Sequence, residues 1–478
     1  MEHIVHLPHA TEEQRPLAAD VAVNGDDEER TWTWVLDVEK ALRGGGGTPT
    51  MTMQQRQQWR TTSCIYLVPE RNRKLNITAY TPQLVSFGPF HHGLASLRPM
   101  EEHKHRALLH FLRRACKPLS EFVAAMEGAA EQLEGMYQGL PAEWRDRRRL
   151  VRLMVLDGCF MLEVVRAATA TAENDYHVDD PVFGWHGAVN TIPYVRRDML
   201  LIENQLPLLV LLKLITVESG RPDPSGIKRQ VLKFLSPSTQ LMDDVVPEGL
   251  HPLQLFRWSR VAEQRSTLDP ATNPGDVPSH QHQLDQVPAE AEQRSDISAM
   301  DLRDAGIHLR KLSSKKISDI RLAGHVLSLP TLTVNELTEP IFVNLVAFER
   351  LHVGLSSPFR LTAYLFFMCK VVKTAEDVAF LRSKGIIRNA LDDGHKVAEL
   401  FARMSADLHV YPPEEGGRLV ILHQQLEKYC QEKWRIWRAH IARTYFRSPW
   451  APLSLAGSVF FLTMTAANNI YNLLRVRH

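Results

Sequence analysis

The sequence predicts a mainly α-helical protein: a large helical domain with a small antiparallel β element and one C-terminal transmembrane helix. Apolar residues recur every three or four positions over long stretches, which is typical of helices that bury one face. Alternation typical of strands is confined to residues 307–334, and an uncharged stretch covers residues 448–474. With 478 residues, of which 44% are hydrophobic, the chain can bury a substantial core.

Residues 1–60 are predicted to form a flexible polar N-terminal segment. The glycine run at residues 44–47 could suggest a phosphate-binding loop, but the Lys-Ser/Thr that completes a P-loop does not follow it. The N-terminus also carries acids and prolines where a signal peptide needs a continuous apolar core. We therefore expect a linker and no export signal.

Residues 61–417 are predicted to form the helical domain. Its helical pattern becomes clear from Pro99, where apolar residues share one face and Glu101 precedes Lys104 as an exposed ion pair. Residues 259–295 are rich in Pro, Gln and Asp and poor in large apolar side chains. This composition predicts a disordered insertion within the domain.

The C-terminus is predicted to anchor the protein in a membrane. Residues 418–447 read as a basic amphipathic juxtamembrane helix, residues 448–474 as the transmembrane helix, and residues 475–478 as a short tail. Basic residues flank the span, so the positive-inside rule places the large domain in the cytosol and makes the lipid bilayer a partner. Three asparagines in the last turns leave a core helix of a soluble domain as the alternative. The proposed anchor residues are Trp450, Phe460, Phe461, Leu462 and Tyr471.

Charge and cysteine content exclude several classes of function. The 56 Lys and Arg nearly balance the 55 Asp and Glu, so no overall positive field predicts nucleic-acid binding. The five cysteines are scattered and never spaced C-x-x-C, so we expect a reduced compartment, without a disulfide framework or a zinc site.

Motifs for catalysis and cofactors are also missing from the sequence. It contains no G-x-S-x-G elbow, no kinase blocks and no G-x-G-x-x-G fingerprint. A group of histidines could suggest a metal site, but their spacing fits neither H-E-x-x-H nor an aligned Cys partner. We therefore expect no catalytic residue, cofactor or metal. The histidines are His91, His92, His103, His105 and His110.

One polar run stands out inside an apolar region. Glu203, Asn204 and Gln205 lie between two stretches of large apolar residues, shortly after Asp198. Burying such side chains is unfavourable unless they find hydrogen-bond partners. We expect a structural polar network, interrupting a helix, and keep a catalytic carboxylate as the alternative. A deep pocket lined by Glu203, Asp157 or Asp198 would favour the alternative that the protein is an enzyme.

Several ordered blocks resemble the plant family called domain of unknown function 247. They include residues 65–69 (IYLVP), 82–93 (PQLVSFGPFHHG), 156–160 (LDGCF), 198–207 (DMLLIENQLP) and 344–349 (NLVAFE), and the likeness covers about residues 62–474. The resemblance implies a plant protein, usually with a C-terminal transmembrane helix and without an assigned enzymatic activity. Some grass members are linked to self-incompatibility, a role that the resemblance does not transfer to this chain.

We therefore expect a membrane-tethered recognition or scaffold protein that binds a protein partner whose identity the sequence does not give. Two alternatives remain: an uncharacterised enzyme with its site near Glu203, and a purely structural membrane-associated protein. An exposed apolar patch would favour binding over catalysis.

Overall fold

The structure is a computed structural model, and its described part leaves out both ends and several internal segments. The chain divides into two compact units, residues 1–59 and 60–478, and every described residue belongs to the second. The predictions for residues 1–60 and 432–447 therefore lie outside the described residues, as does the 259–295 insertion apart from its first three residues. The described ranges are 64–169, 176–237, 249–261, 297–314, 316–352, 359–391, 393–406, 408, 418–431 and 450–475.

The described part is mainly helical, as the sequence predicts. The helices of the first half are α1 Glu70–Leu75, α2 Ile77–Tyr80, α3 Arg98–Ala115, α4 Leu119–Glu127, α5 Ala130–Gly135, α6 Arg147–Thr169, α7 Trp185–Asn190, α8 Ile192–Asp198, α9 Leu208–Ser219 and α10 Pro224–Leu235. Those of the second half are α11 Pro252–Val261, α12 Ala299–Asp304, α13 Thr338–Leu351, α14 Arg360–Val371, α15 Ala375–Ser383, α16 Gly394–Ala406, α17 Arg418–Gln431 and α18 Trp450–Arg475. Single 3₁₀ turns occur at Ala95–Leu97, Ala142–Trp144 and Ile317–Asp319.

Helix α6 lies at the centre of the core. Nearly every side chain from Leu150 to Val165 is buried. The helix packs against α3, α4, α9 and α10. A helix that is apolar on all sides must be enclosed by others. Gly158 allows one of these contacts, because a Cβ there would lie only 2.6 Å from a methyl group of Leu214 and 2.7 Å from one of Val210. The glycine thus lets α9 approach α6 closely.

The β element differs from the predicted antiparallel one. Strands β1 His308–Leu312, β2 Arg321–Ala323 and β3 Val326–Pro330 form a sheet in the order β1-β3-β2, with β2 antiparallel and β1 parallel to β3. Strand β4 Leu332–Val334 pairs in parallel with β5 Ile387–Asn389. Alternation along the sequence identifies a strand but not its partner, so the two parallel pairings could not be seen locally.

The predicted membrane anchor is contradicted. Helix α18 forms where the sequence places it, yet no helix in the described part of the chain is both long and apolar enough to cross a bilayer. Asn468, Asn469 and Asn472 interrupt its apolar run, and several hydroxyl side chains lie within it. The transmembrane helix and the single-pass membrane localisation are therefore corrected, and the expected bilayer contact loses its basis.

The structure describes the side chains of three of the five proposed anchor residues. Phe460, Phe461 and Leu462 are exposed, which does not match the alternative of a core helix either. The side chains of Trp450 and Tyr471 lie outside the described ones.

Two buried histidines enclose one aromatic ring of α13. The Phe348 ring stacks on His352 at 5.0 Å and meets His251 edge-on at 5.2 Å. The hydroxyl of Tyr66 lies 2.7 Å from Nδ1 of His352. Burial lowers the pKa of His251 to about 3 and that of His352 to about 4, and the charge of Arg257 adds to the effect on His352. Both imidazoles are therefore neutral in the folded protein at neutral pH.

This pair predicts a loss of stability in mild acid. Below the ordinary histidine pKa of about 6.5, these histidines bind protons in the unfolded chain. In the folded chain they stay neutral until the pH falls to their own, lower pKa values. The stabilisation is complete above about pH 6.5 and is lost as the pH falls, by about 2 kcal/mol per imidazole at pH 5. Urea unfolding should show a shallower pH dependence for His352→Gln than for the wild type. His308→Gln, at an exposed position in β1, is the control and should keep the wild-type slope.

Candidate functional site

The polar residues predicted near position 200 surround one irregular segment, residues 82–93, which we call the signature loop. Pro82 and Pro89 lack backbone donors, and Gly88 has a positive φ of 69°, so the loop forms neither helix nor strand. A Cβ at Gly88 would lie 2.7 Å from the carbonyl oxygen of Gln205. Because the loop is largely buried, its backbone N–H groups need partners from elsewhere in the chain.

Asp198 supplies the largest share of these partners. It ends α8, and its Oδ2 accepts hydrogen bonds from the backbone N–H groups of Leu84 at 2.7 Å, Val85 at 3.0 Å and Gln83 at 3.1 Å. The guanidinium of Arg197 donates to Oδ1 at 2.6 Å. Burial raises the pKa of Asp198, while the backbone N–H groups and Arg197 oppose that rise. The carboxylate thus fixes the first half of the loop.

Asn204 and Asp157 hold the second half of the loop. Asn204 Oδ1 accepts from the Phe87 N–H at 2.7 Å, and its Nδ2 donates to the carbonyl oxygen of Val85 at 3.0 Å. Asp157 Oδ2, from the middle of α6, accepts from the Gly88 N–H at 2.8 Å. The two side chains therefore continue the support that Asp198 begins.

Lys104 completes this group from α3. Its Nζ lies 2.7 Å from Asp157 Oδ1, from the Ser86 carbonyl oxygen and from Glu101 Oε1, and the Lys104 side chain is fully buried. Burial raises the pKa of Asp157, and the charge of Lys104 acts in the opposite direction. The sequence predicts Lys104 on an exposed helix face, and its complete burial contradicts that prediction.

Glu203 fixes the chain just before the loop. Its Oε1 accepts from the Val68 N–H at 2.6 Å and from the Arg73 guanidinium, and its Oε2 lies 3.3 Å from Nε2 of His91. Arg73 is partly exposed, whereas Glu203 is buried. The carboxylate therefore ties α1 and the signature loop to the residues that follow α8.

Gln205 and Asn344 connect the same region to more distant helices. Gln205 Nε2 donates to the Met199 and Leu201 carbonyl oxygens at 2.7 Å, while its Oε1 accepts from the Leu253 N–H of α11 at 3.0 Å. Asn344 of α13 accepts from the Ile202 N–H at 2.9 Å. Residues 199–207 thus form a cross-linked turn between α8 and α9, not an interruption within a helix.

The chemistry of this region is that of fixed acceptors. Asp157, Asp198 and Glu203 gather around one loop, but each carboxylate faces backbone N–H groups and a basic side chain. The five histidines singled out in the sequence do not converge: His91 approaches Glu203, His92 contacts Trp144, and His110 pairs with Glu163. Within the described ranges, no group of three or more His, Cys, Asp or Glu could hold a metal ion.

The structure also has an exposed apolar patch that the sequence pattern does not reveal, formed by Val178, Trp185 and Val189. These side chains are 65%, 66% and 56% exposed. The Trp185 N–H donates to the Val178 carbonyl oxygen at 3.2 Å, so the two residues are adjacent, and Val189 follows Trp185 by one helical turn in α7. The signal available in the sequence was weak, because exposed and buried apolar residues alternate irregularly there.

The loop support predicts a strong effect of truncating Asp198. Asp198→Ala removes the acceptor of the buried Val85 N–H, of the part-buried Gln83 and Leu84 N–H groups and of the buried Arg197 guanidinium, so the free energy of unfolding should fall by about 3–5 kcal/mol. Asp198→Asn keeps an acceptor oxygen and should lose less. Asp179→Ala, at a carboxylate that is 77% exposed, is the control and should change stability by less than about 0.5 kcal/mol. Equal stability of Asp198→Ala and wild type in chemical unfolding would contradict the role given to this side chain.

Together, the fold and this region define a mainly helical protein whose central polar side chains stabilise an irregular buried loop. The family model described as DUF247, plant protein of unknown function, matches residues 65–464, and the chain belongs to this family. The sequence is 29% identical over 441 residues to UPF0481 protein At3g47200 of Arabidopsis thaliana, covering 89% of this chain and 88% of the relative. Putative UPF0481 protein At3g02645 of Arabidopsis thaliana is 20% identical over 542 residues, covering 95% and 96%. No solved structure matches the chain.

Proposed function

We propose that this protein acts without enzymatic activity, as a recognition or scaffold protein that binds another protein. The observation that supports this proposal most directly is the apolar patch of Val178, Trp185 and Val189. Tryptophan is enriched among the residues that dominate binding energy at protein interfaces. Contiguous exposed apolar side chains mark interaction sites, and the indole at the centre of this patch is 66% exposed.

Hydrogen bonds and close backbone packing support the patch from within this protein. Asp180 Oδ1 accepts from the backbone N–H groups of Val182 and Phe183 at 2.9 Å, and its carboxylate pairs with Arg106 of α3. A Cβ at Gly187 would lie 2.1 Å from the Val182 carbonyl oxygen, so the backbone is packed tightly beneath α7. A preorganised surface loses little conformational entropy on binding, which favours affinity.

The size of the patch favours a different protein over a second copy of this chain. Each partner of a stable complex buries roughly 800 Å², and three side chains supply only part of that area. A second copy would oppose one protruding indole with another. A partner with a concave apolar pocket can enclose Trp185 and supply the remaining contacts around it.

The part of the interior that the structure describes gives no comparable support for catalysis. The buried carboxylates nearest the predicted site, Asp157, Asp198 and Glu203, already accept hydrogen bonds from the backbone and from basic side chains. A general base or acid must instead be able to reach a substrate proton. These carboxylates support a stabilising role, which is compatible with a protein that functions through its surface.

The proposal predicts that Trp185→Ser removes partner binding without unfolding the domain. Loss of an interface anchor lowers the binding free energy by about 2 kcal/mol or more, which is roughly 30-fold in affinity. Leu109→Ser, at an apolar side chain that is 55% exposed on α3, is the matched control. Proximity labelling with full-length wild type and both variants should identify proteins lost only with Trp185→Ser. Calorimetry on a purified candidate should then reproduce the loss.

Two results would contradict this assignment. One is a purified partner that binds wild type and Trp185→Ser with equal affinity. The other is sedimentation data in which wild type forms a dimer that Trp185→Ser abolishes, because the patch would then join two copies of this chain. Thermal unfolding of all three proteins distinguishes either result from a folding defect.

A further inference from the structure

The end of strand β1 carries a hydroxyl group that the fold does not use. Ser313 follows Leu312, the last residue of the strand, and its side chain is exposed. Within the described part of the chain the Ser313 hydroxyl makes no hydrogen bond, whereas Ser314 Oγ accepts from the Lys316 N–H at 3.1 Å. Ser313 therefore presents a free oxygen nucleophile to solvent.

The residues that precede Ser313 are basic and reach solvent. Arg310 stands three positions before it and Lys311 two positions before it, and both side chains are exposed. The Arg310 guanidinium has no hydrogen bond or ion pair with any residue that the structure describes. Many protein kinases select targets through acidic groups that bind an arginine at a fixed distance before the serine. Arg310 can make that contact without giving up another.

The backbone before Ser313 also suits a kinase. Kinase clefts take the residues around the target as an extended segment, and β1 has that conformation before any kinase binds. Such preorganisation lowers the entropy lost on binding. The sheet order β1-β3-β2 places β1 at an edge, so one side of its backbone has no strand partner in this sheet. Binding along that side would leave the pairing of β1 with β3 intact.

Among the described serines and threonines, one other position has an arginine at the same spacing. Thr169 follows Arg166 by three residues, but it lies at the end of α6. Its hydroxyl donates to the Val165 carbonyl oxygen at 2.7 Å, and the Arg166 guanidinium donates to Glu218 Oε1 at 3.0 Å. Both groups already have partners there, so Ser313 is the accessible position of the two.

We propose that Ser313 is a phosphorylation site for a serine/threonine protein kinase that recognises basic residues before its target. The Ser313 oxygen attacks the γ-phosphorus of a nucleoside triphosphate, and the bond between that phosphorus and the bridging oxygen breaks. The nucleoside diphosphate leaves with the electron pair of that bond, and the serine proton passes to the catalytic aspartate of the kinase. The site does not depend on the apolar patch around Trp185.

Phosphorylation changes the charge of this edge of the sheet. A phosphate group adds roughly −1.5 to −2 charge at neutral pH. The two cations that precede Ser313, Arg310 and Lys311, are exposed, and no acidic residue lies between them and the serine. The modified strand end is therefore nearly neutral, which weakens its attraction for anionic partners.

Phosphorylation of the full-length protein in vitro tests the proposal. The probes are γ-labelled ATP and a purified kinase that selects arginine three residues before its target. S313A should lose nearly all of the label, whereas S314A should be labelled like the wild type. R310Q should lower kcat/KM at least about tenfold, because the kinase loses charge-assisted hydrogen bonds to the guanidinium. R321Q is the matched control and should react like the wild type.

The control removes an equal charge from the same face of the sheet. Arg310 of β1 and Arg321 of β2 are both in register with Ser328 of β3, and both are exposed. An equal loss of labelling in R310Q and R321Q would mean that the kinase responds to overall charge, which contradicts the proposal. Full labelling of S313A would contradict it as well. Thermal unfolding of every variant distinguishes these results from a folding defect.

A peptide spanning residues 306–318 tests whether the fold presents the site. Since the segment is already exposed and extended, kcat/KM of the folded protein should lie within about tenfold of that of the peptide. A larger preference for the peptide would show that the site opens only on local unfolding, and the proposal would then be wrong.

Mass spectrometry of the full-length protein isolated from its own tissue provides the last readout. With phosphatases inhibited during isolation, phosphate should be found on Ser313. Phosphate on other residues with Ser313 unmodified would overturn the assignment.

Discussion

Hydrogen bonds from buried side chains to the backbone of the signature loop are the constraint on which the rest of the structure depends. Residues 82–93 cannot form a regular series of backbone hydrogen bonds of their own, because two prolines and two glycines at positive φ interrupt them. Side-chain oxygens accept hydrogen bonds from the loop N–H groups instead, and they belong to Asp198, Asn204 and Asp157. Lys104 of α3 also donates to the Ser86 carbonyl oxygen, so the loop connects α3, α6 and α8. Leaving these N–H groups unpaired would cost about 1–3 kcal/mol each.

Much of this organisation is accessible from the sequence. Helical spacing predicts the helices, and the family resemblance is confirmed by the match over residues 65–464. The polar run at residues 203–205 could be singled out because it interrupts an apolar region. Its partners could not, since the backbone of residues 68 and 83–88 lies more than a hundred positions away in the chain. The burial of Lys104 could not be predicted for the same reason. A lysine one turn after a glutamate on a helix gives no indication that its partner is Asp157, which is buried in the core.

The predictions that the structure contradicts were wrong for physical reasons. An uncharged stretch near the C-terminus suggests a membrane anchor, but the absence of charge does not make a helix apolar enough when asparagines and hydroxyl residues occupy it. Parallel pairing of β4 with β5 joins residues separated by three helices, so alternation alone could not reveal it. Surface features were missed for another reason: whether Trp185 or Arg310 is exposed depends on what packs around it, and sequence spacing does not report that.

We conclude that buried polar side chains hold the signature loop in place. Hydrogen exchange of the backbone amides at residues 83–88 in the native protein tests it most directly. If the side-chain acceptors fix this loop, these amides should exchange only through global unfolding, as slowly as those in the middle of α6. Exchange at nearly the rate of an unfolded peptide would contradict the account, because the loop would then open without unfolding the core.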